Sequence, residues 1–529
     1  MFDLLIRGAK IVDGTGSAWF IGDIGIIDDI IVEVRRYRPG DRSPAHAVIE
    51  ADGMVAAPGF IDIHSHSDDS ILANPRAESK IHQGVTTEVI GNCGYSLAPA
   101  LGEALESIRG DLEYLSIEVT WRTFGEYLDV VERSRPSVNI VPLVGHGTIR
   151  SAVVGKSQRA PTSAELTKMM NLVQEAMCSG AFGLSTGLIY PPSCYADTDE
   201  IVNLARIARE FGGIYASHIR DEGDMLHEAV EEAIAVGERT GIPVEISHHK
   251  AQGRQNWGKV KDTLRMMEDA RSRGIDVACD VYPYTASSTG LSVIIPSWVA
   301  DGGTRQMMER LRDESVLERL RPVVEHEQGE KLGWDKIVIS QVKSHNNKIF
   351  EGKDLATIAK ESGMTPFDIS IRLLLEEGMD VGTVRFGMCE DDVKEVMAHP
   401  LSSIGSDATA RAPYGALSSG KPHPRAYGTF PRVLARYWKE ERIFPLEEAI
   451  RKMSALPAQR LGLTRRGVIR PGMFADITIF DENRIADKAT FADPHRYAEG
   501  IDYVIVNGKL SLEQNAATDV RAGRVLRMK

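Results

Sequence analysis

The hydrophobic positions of this 529-residue chain change rhythm along its length. Over residues 1–57, short apolar runs alternate with turn residues in DLLIRGAKIVDGTG, IGDIGIIDDIIVEV and HAVIEADGMVAAPG, the pattern of a small all-β unit. Residues 465–529 return to that character in GVIRPGMFADITIFD and IDYVIVNGKLS. Neither end has enough strands to bury a face by itself, so the two are expected to pair into one small β-sandwich domain. Between them, residues 58–464 alternate strand-like runs with helical stretches: GFIDIHSH, VTTEVIGNC, VNIVPLVGH, AFGLSTGL, IYASHI, PVEISHH, DVACDVYPY and SSIGSD. Eight β-α units in series predict an α/β fold, a (β/α)8 barrel of the TIM type. An insertion at about 290–345, charged and mostly helical, separates the seventh run from the eighth and is expected near the barrel mouth as a partial lid.

Composition narrows the function classes. Hydrophobic residues at 43% and charged residues at 26% are ordinary for a globular protein, and a net charge of −13 offers no footprint for nucleic acid. The five cysteines, at 93, 178, 194, 279 and 389, are odd in number and scattered, which fits a reducing cytoplasm better than a disulfide framework. No uncharged apolar run reaches the roughly 18 residues that cross a bilayer, and the N-terminus reads as a strand and turn, with no export signal. A membrane partner is not expected; self-association is left open.

Chemistry concentrates at the ends of the strand runs. His64 and His66 are two apart, and a strand's period of two points both imidazoles to one face. A bare H-x-H is more often two ordinary histidines. Here Cys93 follows TTEVIGN, His218 follows IYAS, His248 follows PVEIS and Asp407 follows SSIGS, and in a parallel barrel those ends converge on one mouth. A thiolate, imidazoles and one carboxylate suit Zn²⁺ better than Mg²⁺ or Ca²⁺. Asp407, beside the metal, is the natural general base. His249 alternates to the opposite strand face and is not expected to be a ligand.

APGFIDIHSH resembles the first-strand signature of the amidohydrolase superfamily, and GVIRPGMFADITIFD resembles its closing β-domain. With GNCGYSLAP, GLSTGLIYPP, ASHIRDEG, ISHHKA, DVYPYTASST, IGSD and HPRAYGTFPRVL, nearly the whole chain resembles the N-acyl-D-amino-acid deacylase (D-aminoacylase) family. That resemblance implies a tight zinc site of Cys93, His218 and His248, with His64, His66 and Asp407 around a second, weaker or empty position. It also implies that Lys250, Tyr282, Ser288 and Arg425 hold the substrate's α-carboxylate, that Tyr190 donates to the scissile carbonyl, and that the substrate is a small N-acyl-D-amino acid. The fourth run, AFGLSTGL, lacks the metal-bridging lysine of many dinuclear relatives, which counts against the runner-up, a cyclic amidase of hydantoinase or dihydroorotase type. A non-catalytic scaffold on the same fold is disfavoured because the ligand positions and the base are intact. Ala408 departs from the family's usual IGSDG, putting the fit of the pocket beside Asp407 in question. The run GLSVIIPSWVADGG, with Leu291, Val293, Ile294, Ile295 and Trp298 and no basic residue before Arg305, predicts a preference for hydrophobic D side chains. His146 and Arg150, in GHGTIR, have no assigned role beyond ordering a loop or touching substrate.

Overall fold

A computed structural model describes residues 1–40 and 43–528. The chain opens with β1 (Phe2–Ile11), β2 (Phe20–Ile27), β3 (Ile30–Arg36), β4 (Ala45–Glu50) and β5 (Val55–Pro58). β1, β2 and β3 form an antiparallel meander, while β4 and β5 lie parallel to β1. Alternate residues such as Leu4, Ile6, Ile24, Ile26 and Ile31 turn inward to a separate apolar core. The register of β1 shifts between Ile6 and Ala9, where Gly8 adopts φ 70° and donates its N–H to Asp23 at 3.0 Å. Only glycine takes that left-handed conformation without strain, so the bulge is written in the residue type.

The barrel follows: β6 (Phe60–Asp62), β7 (Val85–Ile90), β8 (Asn139–Pro142), β9 (Val144–Gly145), β10 (Gly183–Gly187), β11 (Ile214–His218), β12 (Val244–Ile246) and β13 (Val277–Val281). All their pairings are parallel, and β8 with β9 serves as one barrel strand, bonded to β7 on one side and β10 on the other. β7, β10, β11 and β13 are buried at every position, as expected of strands covered on both faces.

The insertion is built around β14 (Ser287–Gly290), β15 (Ile337–Gln341) and β16 (Gly382–Arg385), an antiparallel sheet in the order β14-β16-β15. Its own core joins Leu291, Leu320, Ile339, Phe367, Leu373 and Val381. The unit therefore runs on to Arg385, past the expected 345, because the helices Leu355–Ser362 and Pro366–Glu376 pack into that core and not against the barrel's cluster.

β17 (Ser402–Ile404) then pairs with β13 as the eighth barrel strand. It meets the first strand just beyond their C-terminal ends: Asp407 N donates to His64 O at 2.7 Å, and Ser65 bridges Ala408. The ring thus closes through the segments that carry candidate ligands. Finally β18 (Ile477–Phe480), β19 (Ile501–Val506), β20 (Lys509–Glu513) and β21 (Ala516–Ala517) extend the N-terminal sheet, with β18 antiparallel to β5, so both chain ends share one nine-stranded sheet. Among the described residues, no helix is long and apolar enough to cross a membrane, and the five cysteines are free.

Candidate metal centre and substrate cavity

Six side chains from five strand ends converge at the barrel's C-terminal mouth. Two overlapping groups have donor atoms all within 4.8 Å of one another: Cys93, His218 and His248, and His64, His66, Cys93 and Asp407. Cys93 belongs to both, with its Sγ 3.3 Å from His64 Nε2 and 3.5 Å from His248 Nε2. His248 Nε2 lies 2.9 Å from His218 Nδ1, and His66 Nε2 lies 3.0 Å from Asp407 Oδ1. One thiol, four imidazoles and one carboxylate are a donor set that fits zinc. His218 turns its Nδ1 to the cluster, and its buried Nε2, the far nitrogen of the ring, has no hydrogen-bond partner among the described residues.

The backbone is bent to make this convergence. Cys93 (φ 52°), His248 (φ 36°) and Asp407 (φ 50°) all sit in the left-handed region, which costs a residue with a Cβ about 1–3 kcal/mol and persists where the surroundings over-determine it. Gly187 at the end of β10 allows the approach, since any Cβ there would collide with the Cys93 carbonyl oxygen. Burial alone would push the Cys93 thiol up, but His64 and His248, with hydrogen bonds from His218 and His248, hold it well below its usual value. Burial likewise works against an ionised Asp407, and Arg425, His248 and His66 outweigh it.

Two acids that sequence reasoning passed over orient this set. Asp280, at the end of β13, accepts from His248 N at 2.9 Å and lies 3.3 Å from His64 Nδ1. Glu222 lies 3.0 Å from His248 Nδ1 and 2.5 Å from Lys250 Nζ. Carboxylates on the far nitrogen of a ligating histidine fix its tautomer and raise its basicity. The signal available in sequence was position alone: Asp280 and Glu222 follow strand runs like the ligands themselves.

Of the four residues expected to clamp the carboxylate, Arg425 and Lys250 gather around the ring of Tyr282. Arg425 stacks over Tyr282 at 4.6 Å, and Lys250 Nζ is 5.6 Å from the same ring. Arg425 pairs with Asp407 at 2.7 Å and donates to Ser288 O at 3.3 Å, while the Ser288 hydroxyl donates to Thr383 O at 3.0 Å. Tyr190 packs edge-on against His218 with centroids 5.1 Å apart, and its hydroxyl meets Thr289 Oγ1 at 3.0 Å. His249 points away to Thr263 Oγ1 at 2.8 Å.

His146 and Arg150 form a buried network behind the Tyr190 loop. His146 Nδ1 meets Ser193 Oγ and its Nε2 meets Glu200 Oε1, both at 2.9 Å, and Arg150 donates to Glu200 at 2.5 Å. Ala408 carries no positive φ; its methyl group belongs to a small cluster with Ala426, Tyr427 and Ala489, and its carbonyl accepts from Lys80 Nζ at 2.9 Å. Ala408 is also absent from the lining of the cavity of about 970 Å³ that holds His66, Cys93, His218, His248, Asp407 and Arg425.

Of the apolar run after β14, one residue reaches the cavity. Leu291, Ile294 and Ile295 are buried in the insertion's own core, Trp298 packs on that core beneath Arg319, and of the five residues Val293 lines the cavity.

Residues 47–511 match the amidohydrolase family. The chain is 38% identical to D-aminoacylase of Alcaligenes xylosoxydans xylosoxydans, over 99% of this chain and 97% of that protein. It is 35% identical to N-acyl-D-glutamate deacylase of the same organism, over 99% and 96%. Among solved structures, the N-acyl-D-glutamate deacylase of Bordetella bronchiseptica, complexed with zinc and a phosphonate mimic of the tetrahedral intermediate, superposes with a TM-score of 0.84 at 37% identity, covering 99% of both chains.

Proposed function

The chain belongs to the N-acyl-D-amino-acid deacylase (D-aminoacylase) family of amidohydrolases, and from that premise we propose that it hydrolyses N-acyl-D-amino acids to a carboxylate and a free D-amino acid. The observation that carries the reading is the contact of Arg425 with Asp407 at 2.7 Å, which sets a carboxylate-binding cation directly beside the base of a metal-competent cluster. Cys93, His218 and His248 would hold zinc tightly, and His64, His66 and Asp407 would surround a second, weaker position. Zinc held there supplies Lewis acidity toward the amide carbonyl and makes water acidic enough to react near neutral pH.

The chain's own groups supply the rest. Asp407 takes the proton of the attacking water and returns it to the departing amine nitrogen, which leaves poorly unless protonated. The Tyr190 hydroxyl donates to the scissile carbonyl oxygen, where negative charge grows in the transition state. Lys250, Tyr282, Ser288 and Arg425 bind the α-carboxylate, the two cations through charge-assisted hydrogen bonds. With carboxylate and carbonyl both fixed, the side chain projects in one direction for one enantiomer, which is the source of handedness. The barrel spanning 58–464 is the catalytic domain, and residues 1–57 with 465–529 form the supporting β domain. Five scattered free thiols support a reducing compartment, the cytoplasm.

The test is elemental analysis of the purified protein together with hydrolysis of N-acetyl-D-methionine against its L form. Zinc near one equivalent and a strong D preference are expected; a metal-free protein or equal rates on both enantiomers would refute the reading.

A further inference from the structure

The segment HPRAYGTFPRVL carries Arg425 of the proposed clamp, and its first residue, His423, is 3% exposed and held at both ring nitrogens. Its Nε2 meets Ala286 O at 2.9 Å, and its Nδ1 accepts from Arg425 N at 3.0 Å. A carbonyl oxygen only accepts and a backbone N–H only donates, so these partners leave the ring one state: neutral, with its proton on Nε2. Burial first, and then the charge of Arg425, hold its pKa well below the usual imidazole value, in line with that state. Tyr284 and Phe491 make T-shaped contacts with the ring at centroid distances of 5.0 and 4.9 Å, which fix its plane.

The two hydrogen-bond partners belong to different parts of the site. Arg425 is the first residue of the helix Arg425–Arg432, and the residue at its cap position, Pro424, has no side-chain hydrogen-bonding group. The first N–H of that helix is therefore satisfied from one position further back, by His423, which fixes where the Arg425 side chain starts. Ala286 leads directly into β14 of the insertion's sheet, where Ser288 stands. Arg425 spans the same gap with its side chain, donating to Ser288 O at 3.3 Å and lying 4.6 Å over Tyr282. Imidazole and guanidinium are thus two ties between the barrel's closing segment and the insertion. A carboxylate that takes up the guanidinium draws on the second tie; the first is independent of it.

We infer that His423 is a positioning residue of the α-carboxylate clamp: by bonding Arg425 N and Ala286 O at once, it sets the spacing between the guanidinium and the Ser288 strand where the substrate's carboxylate is held. The inference deepens the deacylase reading and rests on it. His423 itself does not line the cavity and belongs to neither metal donor set, so it acts through Arg425 and Ser288.

The test compares kcat/KM for N-acetyl-D-methionine and N-acetyl-D-methioninamide in zinc-loaded enzyme, a ratio that does not depend on how much of a preparation is folded. The native enzyme is expected to favour the acid. His423→Leu removes both bonds, and the acid-to-amide ratio should fall by about 10- to 100-fold, the effect of displacing a positioned group by about 1 Å. That fall is expected mostly in KM for the acid, with zinc content kept. His423→Asn retains an acceptor toward Arg425 N and His423→Gln a donor toward Ala286 O, so each should recover part of the ratio; these two carry the test if the leucine variant does not fold. The native ratio in the variants, with or without an equal fall in kcat for acid and amide, overturns the inference and leaves the deacylase reading intact. A native enzyme that hydrolyses both substrates with equal kcat/KM overturns the carboxylate clamp and this inference together. Hydrolysis of neither overturns the deacylase reading as well.

Discussion

At the scale of single residues, the chemistry proposed for the site separates into binding the metal and moving the proton, and variants should separate them too. Cys93→Ala removes the one donor shared by both clusters and is expected to lose most bound zinc and all activity; undiminished zinc by elemental analysis would refute the ligand assignment. Asp407→Asn keeps the thiolate and imidazole donors but cannot relay a proton, so zinc should stay while kcat falls by about 1,000-fold or more; retention of a tenth of kcat would mean another base. Arg425→Ala removes the guanidinium stacked over Tyr282, and should weaken substrates with a free α-carboxylate far more than their amides. The convergence of the candidate ligand residues was legible in the sequence because each ends a strand run. The left-handed backbone at Cys93, His248 and Asp407 was not, because no residue type there announces a positive φ as glycine does. Asp280 and Glu222 were missed for a related reason: an acid that steadies a ligand looks, in sequence, like any polar residue at a strand end.

Elements bring these residues to their places, and the barrel was legible because short strand-like runs alternate in series with helical stretches, even where a strand such as Gly183–Gly187 is not a continuous apolar run. The second half of the insertion was not: LATIAKES and PFDISIRLLLE have the period of ordinary barrel helices, and their packing against Leu291 and Ile339 depends on a tertiary choice that periodicity cannot express. The Tyr190 loop shows how an element is held from behind. His146, first residue of the helix His146–Val153, reaches Ser193 on that loop and Glu200 in the helix Thr198–Glu210. His146→Ala should therefore loosen Tyr190 without touching the metal, lowering kcat by about 10- to 100-fold, as a displacement near 1 Å at a reacting group does. Unchanged zinc content with reduced kcat is the expected pair of results. A loss of zinc in parallel would show that the network supports the whole mouth and not the loop alone.

For the whole molecule, the question is what fastens the sheet shared by both chain ends to the barrel. The sheet shared by both chain ends is joined by β18 pairing with β5, β5 runs directly into β6, and the C-terminal tail pairs with β8 through its backbone, Ile140 N donating to Arg524 O at 2.9 Å and Leu526 N to Ile140 O at 2.8 Å. A buried polar network reinforces that junction. Asn139 in barrel strand β8 donates to Asp476 at 3.3 Å and accepts from Asn507 Nδ2 at 2.8 Å, and Arg466 binds both Asp476 and, at 2.8 Å, Asn507. In sequence these four residues are indistinguishable from surface polar positions; folded, the side chains of Arg466 and Asp476 are each 4% exposed. Removing one partner of such a pair strands the other charge out of water, which costs about 3–5 kcal/mol, whereas replacing both with apolar groups of similar volume is often nearly neutral. Asp476→Ala is thus expected to lower the melting temperature by several degrees, with hydrolytic activity of the surviving folded protein retained because the network lies away from the cavity-lining residues. The double variant Arg466→Met, Asp476→Leu should recover much of the loss. A single variant that melts with the native protein would mean that the shared sheet and the backbone pairing of the tail hold the junction without this network.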